Sequence, residues 1–224
     1  MVHDPLRSLK GRLIVSCQAY PGEPLRDPDT MRRMALAVLE GGAAGIRAQG
    51  LHDLRAIRAA TDAPLIGLWK DGASGVFITP TAGHAREVAR TGADIVALDA
   101  TARPRPDGRP LAESIEAVHA EGRLVMADIA TEAEAVRAAE LGADLVGTTL
   151  SGYTDDSPRT AGPDLALVEV LARRLDVPVV AEGRIHTAGQ AAAAMACGAY
   201  AVVVGTAITH PTTLTRWFTQ AVEA

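Results

Sequence analysis

"RLVMADIATEAEAVRAAELGADLVGTT", Arg123 to Thr149, holds one complete structural unit. It opens with a short apolar run, "RLVMADI", rich in residues that suit a buried strand. A segment of helical period follows. Thr131 is placed to N-cap it, Glu134 to complete a capping box, and Gly142 to end it. A second apolar run, "DLVGTT", closes the unit. Strand, helix and strand in this order predict a parallel crossover.

The same rhythm recurs along the chain. The predicted strands are "RLIVSCQ", "GIRA", "PLIGLWK", "DIVALDA", "RLVMADI", "DLVGTT", "PVVAEG" and "AVVVG". Helices are expected to start near Thr30, Leu51, Thr81, Leu111, Thr131, Asp164 and Thr187, with a last one near Pro211. Continuous apolar strands alternating with amphipathic helices imply a parallel sheet covered on its outer face. Eight such units in 224 residues fit a single α/β domain, a (β/α)8 TIM barrel. The rival is a doubly wound open sheet, but no G-x-G-x-x-G follows the first strand. The barrel is expected to span 1–224, with 1–10 as a short N-terminal extension.

Composition narrows the function. A formal net charge of −5 and 3% aromatics argue against a nucleic-acid partner. No run approaches the roughly 20 apolar residues of a membrane span, and the first residues lack the apolar core of a secretory signal. Cys17 and Cys197 stand in no metal spacing and read as free thiols of a reducing compartment. The expectation is a soluble cytoplasmic protein.

A barrel places its chemistry at the C-terminal ends of its strands. Gln18, Arg47, Lys70, Asp99, Asp128 and Glu182 all lie at or near such ends. Strand alternation puts Ile66, Leu68 and Lys70 on one face, as it does Leu124, Met126 and Asp128, and Val180 and Glu182. Each polar group can therefore top an inward-facing column. Asp99 has a blander reading, as a cap for backbone amides before "TARPRP". His3, His52, His84, His119 and His186 read as surface or helix-start residues. The last two strands end in "EGRI" and "VVVGTAI". Backbone near Gly183 and Gly205, with the Thr206 hydroxyl, can cradle a phosphate where such barrels often hold one.

Nearly the whole chain also resembles a known family. "SCQA", "GIRA", "IGLWK", "VFITPT", "ALDAT", "RPDG", "MADIAT", "TTLSGYT", "AEGRI" and "AYAVVVGTAIT" occur in the order seen in N-acetylmannosamine-6-phosphate 2-epimerases. The resemblance implies a barrel isomerase that interconverts N-acetylmannosamine 6-phosphate and N-acetylglucosamine 6-phosphate in sialic acid use. It implies Lys70 and Glu182 as the proton-transfer pair. Gln18, Arg47, Asp128 and Thr149 would hold the sugar and its amide, and Gly183, Arg184, Gly205, Thr206 and His210 would serve the phosphate end. Two places depart from the family pattern. "KDGASG" follows the lysine where many members carry Arg-Asp-Tyr, and His210 stands where an arginine is expected.

The chemistry agrees with the residues. Inverting a carbon beside a carbonyl needs its proton removed from one face and returned on the other. Two acid/base groups on opposite sides accomplish this, with donors facing the enediolate. No cofactor or metal is called for. Two other readings remain open: a Schiff-base aldolase or lyase using Lys70, and a non-catalytic sugar-phosphate-binding barrel. The stripe Leu214, Trp217, Phe218 and Val222 on the last helix fits packing on its own barrel or a homodimer interface.

Overall fold

The structure is a computed structural model that describes residues 4–223; His3 and the ends of the expected 1–224 span lie outside the described residues. Eight parallel strands close into a barrel in sequence order, β1 pairing with β8. They are β1 Leu13–Cys17, β2 Gly45–Gln49, β3 Leu65–Leu68, β4 Ile95–Asp99, β5 Leu124–Asp128, β6 Leu145–Gly147, β7 Val179–Glu182 and β8 Ala201–Val204. Each falls within or overlaps its predicted run.

The connecting helices are α2 Pro28–Glu40, α3 Leu51–Arg58, α4 Ala82–Ala89, α5 Leu111–His119, α6 Glu132–Glu140, α7 Leu165–Arg174 and α8 Ala188–Ala196. Thr131 and Glu134 form the expected capping box, and Gly142 leaves α6 at φ 98°. Thr81, Asp164 and Thr187 also cap with their side chains. Among the described residues no helix is long and apolar enough to cross a membrane.

The barrel is filled from within by Ile14, Ile66, Ile95, Met126, Val180 and Val203. Leu9 joins this cluster. It comes from α1, Pro5–Leu9, a helix within the expected short N-terminal extension. Gly11 N–H donates to Tyr200 O at 2.8 Å, and the Tyr200 hydroxyl to Leu6 O at 2.8 Å. These bonds seat α1 beneath the strand starts, where Leu9 plugs the end of the barrel opposite the site.

After β8 comes a single turn, α9 Thr206–Thr209, and then α10 Pro211–Glu223. Although α10 occupies the sequence position of the eighth barrel helix, none of its residues is buried.

Candidate active site

The strand ends surround a cavity of about 940 Å³, lined by Gln18, Lys70, Thr149, Glu182, Gly183, Arg184, Gly205, Thr206 and His210 among others. Nine of the eleven expected site residues therefore share one wall. Arg47 and Asp128 are the exceptions. Both face inward, yet their side chains are 1% and 0% exposed and lie beneath that wall.

The register explains the layering. Asp128 pairs with Gly147, and Gly147 pairs with Val180. Glu182 lies two residues beyond Val180 and so stands one inward layer higher than Asp128. Arg47 pairs with Ile66, whereas Lys70 lies four residues further on. The lower pair is a two-pronged ion pair: Arg47 Nη1 to Asp128 Oδ1 at 3.0 Å and Nη2 to Oδ2 at 2.6 Å. Arg47 Nη1 also stands 3.0 Å from Glu182 Oε2. Gly147 makes this layer possible, because a Cβ there would run into the Met126 methyl and come within 3.4 Å of Asp128 Oδ1.

Thr149 links the layers. Its hydroxyl lies 2.7 Å from Asp128 Oδ1 and 3.1 Å from Glu182 Oε2. One hydroxyl proton serves one carboxylate at a time. When Glu182 is protonated it can donate to Thr149 Oγ1, so the threonine suits both states. Thr148, which sequence reasoning passed over, holds the backbone of Glu182 from both sides: its hydroxyl donates to the carbonyl at 2.9 Å and accepts from the N–H at 3.1 Å.

Burial pushes the Glu182 carboxyl up to about 7, and the neighbouring Asp128 charge adds to this. Arg47, Thr149 and Lys70 pull it down. Burial prevails because the guanidinium is shared with Asp128. Lys70 moves the other way, down to about 8, first through burial and then through repulsion by Arg47. Arg47 also loses solvation, but Asp128 and Glu182 more than offset that and hold it charged. The Lys70 ammonium lies over the Tyr20 ring, 5.2 Å from its centroid. Gln18 donates to Ser16 Oγ at 2.8 Å, while its side-chain oxygen has no partner among the described residues.

The side chains of Arg184 and His210, expected at the phosphate end, line the cavity and have partners within the protein. The Arg184 guanidinium donates to the carbonyls of Gly162, at 2.8 Å, and Ser151, bracing the loop after β6. Both ring nitrogens of His210 are engaged, Nδ1 with Thr213 at 2.7 Å and Nε2 with Glu23 at 2.9 Å. A carboxylate only accepts, so Nε2 is the donor to Glu23. The backbone N–H groups of Gly183, Arg184, Gly205 and Thr206 have no partner among the described residues.

Asp99 follows its blander reading. It accepts from Thr101 N–H at 3.0 Å, from the Thr101 hydroxyl at 2.7 Å and from Arg103 at 2.7 Å. His52, exposed in the first turn of α3, and His186, just before the N-cap of α8, sit at helix starts as expected and also line the cavity, as do Gln49, Tyr20, Arg26 and Tyr153. Gln49 was legible in principle, since it is two residues beyond Arg47 on the inward face.

Three comparisons bear on this arrangement. The family described as "Putative N-acetylmannosamine-6-phosphate epimerase" matches residues 31–224. A protein of Cutibacterium acnes named as a 2-epimerase of that kind is 56% identical over 219 residues, covering 96% of both chains. One of Clostridioides difficile is 46% identical, covering 97% of this chain and 99% of its own. Among solved structures, the N-acetylmannosamine-6-phosphate 2-epimerase from Clostridium perfringens superposes with a TM-score of 0.96 at 44% identity, covering 99% of this chain and 97% of that one. A thiamine phosphate pyrophosphorylase from Pyrococcus furiosus, with a TM-score of 0.63 at 22% identity, shares the fold alone.

Proposed function

The chain belongs to the N-acetylmannosamine-6-phosphate epimerase family, and from that premise we propose that Lys70 and Glu182 are its proton-transfer pair. The reaction interconverts N-acetylmannosamine 6-phosphate and N-acetylglucosamine 6-phosphate by inversion at C2, in amino-sugar breakdown. The observation that carries the site assignment is that Lys70 and Glu182 line one cavity wall, with Arg47 3.0 Å from the carboxylate; burial, which brings the lysine down to about 8 and the glutamate up to about 7, agrees with it.

The open-chain sugar presents a C2 proton made acidic by the C1 carbonyl. One member of the pair removes it. The C–H electron pair moves into a C1–C2 double bond, and the carbonyl pair moves onto O1 as an enediolate. The other member returns a proton to C2 from the opposite face. Two groups near neutrality suit this exchange, since each must be a base in one direction and an acid in the other. Arg47 and Asp128 work from below by fixing Glu182. Gln18 and Thr149 face the acetamido sugar. The free N–H groups at Gly183–Arg184 and Gly205–Thr206 receive the phosphate.

The test follows the C2 proton by NMR in deuterated water with each epimer in turn. Turnover with deuterium entering C2 is expected; no turnover of either epimer would overturn the reading. The pH profile of kcat/KM supplies a second check. With Glu182 as carboxylate base and Lys70 as ammonium acid, activity is lost as pH falls through about 7 and as it rises through about 8. In the reverse direction the same two limbs bound a smaller population. A flat profile between pH 6 and pH 9 would exclude the pair.

We also propose a homodimer in the cytoplasm. On α10 Phe218 is 74% and Val222 85% exposed, with Trp217 beside them. Between α8 and the β8–β1 wall lies an apolar groove of about 410 Å³, lined by Leu13, Ala191, Met195, Val202, Val204 and Ile208. That groove is where an eighth barrel helix would pack. Exchange of α10 between two copies covers both stripes with one two-fold contact. Light scattering after size exclusion is expected to show a dimer, and Phe218→Glu a monomer. A wild-type monomer at micromolar concentration would count against it.

A further inference from the structure

After β3 the chain leaves the barrel wall and returns as a tight hairpin, Trp69 to Thr79, which carries Lys70. Thr79 N–H donates to Trp69 O at 2.7 Å, Trp69 N–H to the Thr79 hydroxyl at 3.1 Å, and Asp71 N–H to Phe77 O at 3.0 Å. Lys70 itself bridges Ile78. The hairpin closes on Thr79 at φ 47°, a left-handed conformation that a β-branched residue rarely takes. Such a conformation persists only where the surroundings hold it.

What holds it is Arg105, from the loop after β4. Its Nε donates to Pro80 O at 3.1 Å, Nη2 to Thr79 O at 3.4 Å and Nη1 to Asp99 O at 2.7 Å. The guanidinium is buried, makes no ion pair among the described residues and does not line the cavity. A buried charge spent wholly on three carbonyls, two at the end of the hairpin and one at the end of β4, is costly to keep, and its fixed fork is what reaches all three. We infer that Arg105 is a positioning residue for the proton-transfer lysine, locking the return of the hairpin so that Lys70 stays in the cavity wall. The inference rests on the assignment of Lys70 above.

The chain has only two lysines, the exposed Lys10 and Lys70. Competitive acetylation with acetic anhydride across pH 6–11, read by mass spectrometry, therefore measures Lys70 against an internal reference. The groups facing Lys70 are Tyr20 from the loop after β1, Arg47 on β2, Asp128 on β5 and Glu182 on β7, and Arg105→Ala changes none of them. The labelling midpoint of Lys70 is expected to rise from about 8 by at least one pH unit toward the ordinary lysine value. The kcat is expected to fall about ten- to a hundredfold with little change in KM, the basic limb moving with the midpoint. Added guanidinium ion should restore part of both. Arg105→Lys, whose compact ammonium cannot reach three acceptors, gives an intermediate result and serves if the alanine variant fails to fold. A lower Tm with the Lys70 midpoint and kcat unchanged overturns the proposal. Wild-type turnover by Lys70→Ala would instead overturn the role of Lys70, while the labelling midpoint still decides whether Arg105 holds it.

Discussion

Lys70→Ala and Glu182→Gln are each expected to lower kcat by about 10²–10⁴-fold, the range that a positioned acid or base contributes. The loss should appear in both directions, because in the proposed mechanism each group takes the proton in one and delivers it in the other. KM should change little, since the free backbone donors proposed to receive the phosphate remain in place. Glu182→Gln is the sharper test. It preserves shape and leaves the Thr148 bonds to the backbone intact, so a folding explanation is weak. If the wash-in of deuterium at C2 persists in one variant while inversion stops, that variant has lost only the group on the far face. Turnover within tenfold of wild type in either variant would remove that residue from the mechanism.

The second large effect is on stability. Arg47→Met leaves Asp128 buried without its partner, and breaking a buried pair from one side costs about 3–5 kcal/mol. For a chain of this size each kcal/mol shifts Tm by roughly 2–4 °C, so calorimetry should show a fall of roughly 6–20 °C. The double variant Arg47→Met/Asp128→Leu should recover much of that loss, because an apolar pair of similar volume needs no desolvation. Activity should not recover. Without Arg47, Glu182 loses an opposing influence, so its carboxyl rises further above 7 and the acid limb moves to higher pH. Equal stability of Arg47→Met and wild type would mean that the ion pair is structurally idle.

The order of strands and helices was legible because it is local. Apolar runs, caps such as Thr131 with Glu134, and turn glycines act within a few residues, and eight repetitions leave little choice but closure. Strand parity likewise pointed Lys70, Asp128 and Glu182 inward, since side chains alternate with a period of two. What parity cannot state is height. Asp128 and Glu182 both end inward columns, yet the stagger between β5, β6 and β7 sets the first beneath the second. One becomes a buried counter-ion and the other faces the cavity. That stagger is a property of the closed barrel and appears in no single strand.

The same distinction separates the remaining surprises. Asp99 shares the inward parity but is claimed by Thr101 and Arg103 within its own loop. Arg184 and His210 stand at the expected strand ends, yet their side chains are taken by carbonyls and by Glu23 from other parts of the chain. Arg105 sits in a loop that offered no strand-end signal and acts only through backbone brought to it by folding. The sequence by itself determined the barrel and placed Lys70 and Glu182 at the strand ends, on the end of the barrel that carries the cavity. Tertiary structure alone decided which charges face the cavity and which only hold them there, because that depends on register and on partners far away along the chain.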